Sequence, residues 1–185
     1  MNALEDAWNW FQSTRRQLQL MRRLAERHSR VLSWEYLEKD DNFKDLDCGT
    51  LHKGITDSLL ELNDLAVLVL FSAFEAIVRG HVELEVIAES ARIIHPTLKD
   101  AADEALRTIK EGSFFRVLES FKSLDPDVVE AVNQVRRYRN WVAHGKRDTP
   151  KAQVDPKTAF ERLKQFLELL KQPVASKTRL HGSVS

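Results

Sequence analysis

Apolar positions along this chain recur at helical spacing, and no segment shows the sustained alternation of a strand. Leu18, Met21, Leu24 and Ala25 share one face, as do Val31, Trp34 and Leu37, so residues 2–39 read as one or two helices. Residues 40–54 are polar, contain two glycines and have no period, which predicts a loop or linker. A long helix is predicted from near Thr56, capped by Thr56 or Asp57, to about His95, where Pro96 stops it. It carries two apolar stripes, one through Leu59, Leu62, Ala66, Val69, Ala73 and Ala76, the other through Leu60, Val67, Phe71, Phe74 and Val78. Two stripes imply burial over much of the circumference, as at the centre of a bundle.

Shorter helices follow. One spans 97–110 with Thr97 as its cap, Gly112 and Ser113 punctuate, and another runs from Phe114 to Phe121. Asp125-Pro126 and Asp155-Pro156 each place a capping carboxylate before a proline at the first helical position. They open helices ending near Gly145 and Leu170. The expected fold is an all-α, up-and-down helical bundle at 56–172, with a helical N-terminal extension and linker at 1–55 and a loose tail at 173–185.

Composition narrows the class. Apolar residues make up 43% and charged residues 30%, as in a globular chain, and six glycines and five prolines argue against an all-β fold. Cys48 is the single cysteine, so no intrachain disulfide forms and a reducing, cytoplasmic setting is expected. Glu5 and Asp6 interrupt any apolar leader at the N-terminus. The most apolar stretch, Leu65 to Phe74, is half the length of about 20 residues that a membrane span needs, so it reads as a core helix and no membrane partner is expected. His28, His52, His81, His95 and His181 show no ligand spacing, and no metal or cofactor is expected.

Net charge is zero, yet charge is segregated. Residues 1–31 carry six Arg against three acids, 33–64 nine acids against three Lys, and 131–151 six Lys or Arg against Asp148. The last block carries the candidate chemistry. Val128, Ala131, Val135, Tyr138 and Val142 form a stripe expected to face the core, which puts Arg136, Asn140, Ala143, His144 and Arg147 on the opposite side, with Arg139 and Trp141 at its edges. Asn140 and His144 are helical neighbours, whereas Arg139 and His144 diverge by about 140°. A distorted helix end or a second copy across a two-fold axis would bring them together. The same cations also fit an ordinary helix C-terminus, where they offset the helix dipole.

The string Arg139-Asn140-Trp141-Val142-Ala143-His144 resembles the signature of the HEPN superfamily, an Arg followed by four to six residues and a His, often with Asn after the Arg. Phe71 to Arg79, with Phe74-Glu75 at its centre, resembles the early long helix of many members. The resemblance covers roughly residues 56–170 and does not extend to 1–55. It implies a homodimer with the two late helices face to face. It further implies a metal-independent endoribonuclease of toxin or antiviral-defence type, or else a catalytically silent binding or regulatory module. Gly145-Lys146-Arg147-Asp148 lacks the Tyr found shortly after the His in members paired with a minimal nucleotidyltransferase.

These residue types suit RNA cleavage by the 2′-hydroxyl. Imidazole transfers protons near neutrality. The fixed charge and planar fork of Arg139 fit the phosphate oxygens of the transition state. Asn140 would orient His144 or donate to phosphate, while Arg136, Lys146 and Arg147 would bind the RNA backbone. Glu75 either pairs with Arg79 four residues on or tunes His144. The expected partners are RNA, a second copy and an antitoxin or regulatory protein. An unrelated helical adaptor with a chance motif is the remaining reading.

Overall fold

The computed structural model describes residues 2–28, 41, 47–123, 125–147, 149 and 153–171, and all of its regular elements are helices. They are α1 (Ala3–His28), α2 (Cys48–Ser90), α3 (Pro96–Glu111), α4 (Phe114–Glu119), α5 (Pro126–Ala143) and α6 (Pro156–Leu170). The stripe expected at Val31, Trp34 and Leu37, and the tail from 173, lie outside the described residues.

The 43-residue α2 is the axis of the fold, and α1, α3, α5 and α6 all pack on it. Val67, Leu70, Phe71, Phe74 and Val78 are all but fully buried. Phe74 meets Phe114 and Phe166 edge-on, with ring centroids 5.9 and 5.4 Å apart. Of the two expected stripes, that through Val67, Phe71, Phe74 and Val78 is the deeper, but Leu60 at its start remains 63% exposed. The other stripe contributes Leu62 and Ala66, which bury against Phe11 of α1. By length and composition Gly49–Ser90 is also apolar enough to cross a membrane. In the bundle Val67, Leu70, Phe71, Phe74 and Val78 pack against other helices, whereas Leu65, Leu84 and Ile87 stay exposed.

Three helix boundaries differ from the sequence expectation. Residues 48–54 continue α2 rather than forming a linker, because Asp47 caps the helix, accepting from the backbone N–H of Thr50 at 2.8 Å. That bond holds the Asp47 carboxyl below its usual range. Ile55, one turn on, is buried, which anchors the glycine-containing start. At the other end α2 stops at Ser90, where three-residue backbone bonds from Arg92 to Glu89 and Ile93 to Ser90 tighten the chain into a turn. Pro96 does not terminate α2 but starts α3. The cap position is His95, held extended by the proline that follows, and Thr97 lies inside the helix.

The segment read as an N-terminal extension contributes to the core. Leu4 and Ala7 join the cluster that includes Val67, Leu70 and Phe166, and Trp8 stacks on Phe160 of α6 at 4.8 Å. Beyond Val78 no residue of α2 is buried, and α3 buries only Ile109. Arg79 ties this end together. It hydrogen-bonds Glu75 at 2.8 and 2.9 Å, donates to the carbonyls of Ile109 and Gly112, and lies over the Phe114 ring.

Both Asp-Pro signatures form as expected. Asp125 accepts from the N–H groups of Asp127 and Val128, and Asp155 from those of Lys157 and Thr158.

Candidate functional site at the end of α5

Helix α5 is rotated from the expected orientation. Val128, Val129, Val132, Asn133 and Val135 are its buried residues, whereas Ala131, Tyr138 and Val142 are only half-buried. Several valines in succession made more than one apolar stripe possible. The buried one contains a polar residue, Asn133, because its side-chain oxygen accepts from Arg136 Nε at 3.1 Å. On this wheel Arg139 continues the line Val128, Val132, Val135 toward α2. Arg136 falls beside it rather than on the far face.

The two arginines are consequently packed against aromatics. The Arg139 guanidinium carbon is 5.6 Å from the centre of the Phe71 ring, and that of Arg136 is 4.9 Å from Phe115. These distances fall within the range of cation–π attraction. Burial, and then the neighbouring Arg137, push the Arg136 guanidinium below its ordinary value. Arg139 Nη1 donates to the Asn140 side-chain oxygen at 3.1 Å, while its buried Nε has no hydrogen-bond partner. Asn140 therefore orients the arginine; no hydrogen bond joins its side chain to His144.

The C-terminus of α5 closes with a Schellman turn. Lys146 N–H bonds Trp141 O and Gly145 N–H bonds Val142 O, each at 3.0 Å. Gly145 takes φ 76°, a left-handed value that glycine adopts without penalty, and Lys146 follows at φ 56°. His144 is the cap residue, its N–H bonded to the carbonyl of Asn140 at 3.0 Å, and its imidazole is exposed. The helix end is thus distorted at Gly145 as the sequence allowed. Even so, no hydrogen bond links Arg139 to His144 within one chain.

The remaining predicted residues are placed as follows. Glu75 is engaged by Arg79, the ordinary ion-pair alternative, and not by His144. Lys146 pairs with Asp64 of α2 and lies over the Trp141 ring at 5.7 Å. Arg147 is exposed just beyond the turn.

Sequence reasoning missed the counterpart on α2. The Asp64 carboxylate accepts from the Tyr138 hydroxyl at 2.6 Å through one oxygen and from Lys146 Nζ through the other. Burial, reinforced by this hydrogen bond and the Asp64 charge, pushes the Tyr138 phenol well above its ordinary value. Asp64 and Tyr138 are 74 residues apart, and no local pattern signals their contact. Together with Trp141 they line a groove of about 590 Å³ between α2, the end of α5 and the residues entering α6.

The end of α5 therefore offers an oriented, permanently charged donor fork at Arg139 and an accessible imidazole at His144. Among the described residues no group of His, Cys, Asp and Glu side chains comes together as a metal site. No protein-family model matches the chain, and neither a curated protein nor a solved structure matches it.

Proposed function

We propose that this chain is a HEPN-type, metal-independent endoribonuclease acting as a homodimer, in the manner of a toxin or antiviral-defence effector in the cytoplasm. The observation that carries the reading is the end of α5. There Arg139 is held on Phe71 and by Asn140, while the Schellman turn leaves the His144 imidazole open to a substrate. In this reading His144 takes the 2′-hydroxyl proton, and Arg139 stabilises the charge that grows on the phosphate oxygens. The His144 of a second copy protonates the leaving oxygen. A two-fold pairing of α5 supplies what one chain lacks, since Arg139 and His144 do not meet within it.

One observation favours the silent alternative, a HEPN dimer that binds or regulates without cleaving. Lys146 is already paired with Asp64, which lowers the free positive charge of this face. Incubation of the purified protein with RNA in excess chelator separates the two. The nuclease reading requires products with 2′,3′-cyclic phosphate ends, lost in His144→Ala. A dimer that leaves RNA intact selects the silent module.

A further inference from the structure

The groove beside α5 has a chemistry of its own. Its walls include Asn63, Asp64, Tyr138, Trp141, Lys146 and Gln153, an aromatic pair set among amides and a carboxylate. A phosphate does not suit it: Lys146, the cation among its described lining residues, is already bound to Asp64, and the carboxylate of Asp155 adds to the negative charge. A flat heterocycle with N–H donors does suit it. Trp141, with Lys146 over its ring at 5.7 Å, forms an aromatic wall of the groove on which a base can stack, and Asp64 is fixed by the Tyr138 hydroxyl so that its oxygens hold one orientation. Each carboxylate oxygen accepts one hydrogen bond in the structure, from Tyr138 or from Lys146, and each has a second lone-pair position.

Nucleobases differ sharply toward such a carboxylate. Guanine presents two adjacent donors, N1–H and the N2 amine, which match its two oxygens. Adenine and cytosine place a ring-nitrogen lone pair beside their single amine, and uracil flanks its N3–H with two carbonyls. All three set a lone pair against the carboxylate. Asn63 and Gln153 can donate to the guanine O6 and N7 acceptors. Trp141 and His144 are three residues apart, hence neighbours on the helix surface. A base seated on Trp141 therefore leaves its ribose and phosphate at the end of α5.

Taking RNA as substrate from the reading above, we infer that this groove is a guanine subsite selecting the nucleotide next to the cleaved phosphate. The test is calorimetric titration of the intact protein with the 3′-monophosphates of guanosine, adenosine, cytidine and uridine. Guanosine 3′-monophosphate binds about tenfold tighter than the others, as expected of a bidentate base contact. Trp141→Leu and Asn63→Ala each weaken it about fivefold or more, through lost stacking or a lost hydrogen bond. Asn63 is a partly exposed position, so its variant folds even where the indole substitution does not, and melting curves check both. Equal affinity for the four nucleotides, no binding at millimolar concentration, or unchanged binding in both variants overturns the inference. Guanosine selectivity in a protein that cleaves no RNA retains the subsite and removes the nuclease reading; cleavage without selectivity does the reverse.

Discussion

Replacing Tyr138 by Phe deletes one hydroxyl and tests the tie between α2 and α5 that frames the candidate site. The bond it removes is 2.6 Å long and ends on a carboxylate whose side chain is only 16% exposed. Hydrogen bonds to charged groups contribute about 1.5–3 kcal/mol. Lys146 remains on the other oxygen, which limits the cost of the vacated acceptor and favours the lower end, about 1.5 kcal/mol. For a chain of this size that corresponds to a fall in Tm of roughly 3–6 °C. Urea denaturation should show a lower midpoint with an unchanged slope. A cycle with Asp64→Asn should show the two substitutions to be non-additive by about 1 kcal/mol. The pH dependence has a definite sign. The folded phenol titrates above the unfolded value of about 10, so its contribution is complete below that pH and is lost as pH rises through the folded value. The parent therefore loses stability above pH ~10 faster than Tyr138→Phe does. A loss under about 0.5 kcal/mol with an additive cycle would refute the reasoning.

Other substitutions probe the remaining scaffold. Phe74→Ala, at a fully buried ring with three aromatic neighbours, should cost about 3–5 kcal/mol by chemical denaturation. Asp155→Ala removes the cap of α6 and should cost about 1 kcal/mol at neutral pH. The Thr158 hydroxyl bond, with help from backbone N–H groups, holds the Asp155 carboxyl below its ordinary range, so this difference is present above pH ~4 and shrinks as pH falls through the folded value. Gly145→Ala meets no atom within 4 Å but must keep φ 76°, and should cost about 1 kcal/mol through backbone strain alone, read as a lower melting temperature.

Local chemistry made much of the fold legible. The Asp-Pro pairs at 125–126 and 155–156 located two helix starts, because a carboxylate and a proline satisfy a helix N-terminus without tertiary help. The central place of α2 followed from its two apolar stripes. Pro96 misled because a proline ends one helix or begins another, and only the five-residue turn at 91–95 decides which. The start of α2 is not legible because two glycines and many charges leave the segment without periodicity, and the Asp47 cap alone does not mark it. In α5 the run of valines left the buried face ambiguous, and the choice turned on Asn133, a polar residue that packing and Arg136 make burial-tolerant. Spacing made Asn140 and His144 helical neighbours, and the grouping of Arg139, Asn140 and His144 as a candidate site came from the resemblance of that string to the HEPN signature. The role of Phe71 beneath Arg139, and of Asp64 opposite Tyr138, arises from contacts between helices distant in sequence, which periodicity does not encode.

The chemistry proposed for the end of α5 is tested by cleavage of RNA in excess chelator, with the parent, His144→Ala and Arg139→Ala prepared identically. The parent should produce 2′,3′-cyclic phosphate ends. Removing either general acid–base or charge stabilisation should lower the rate by about a hundredfold or more. Equal cleavage by all three proteins, products with 3′-hydroxyl ends, or activity that requires added divalent metal would contradict it.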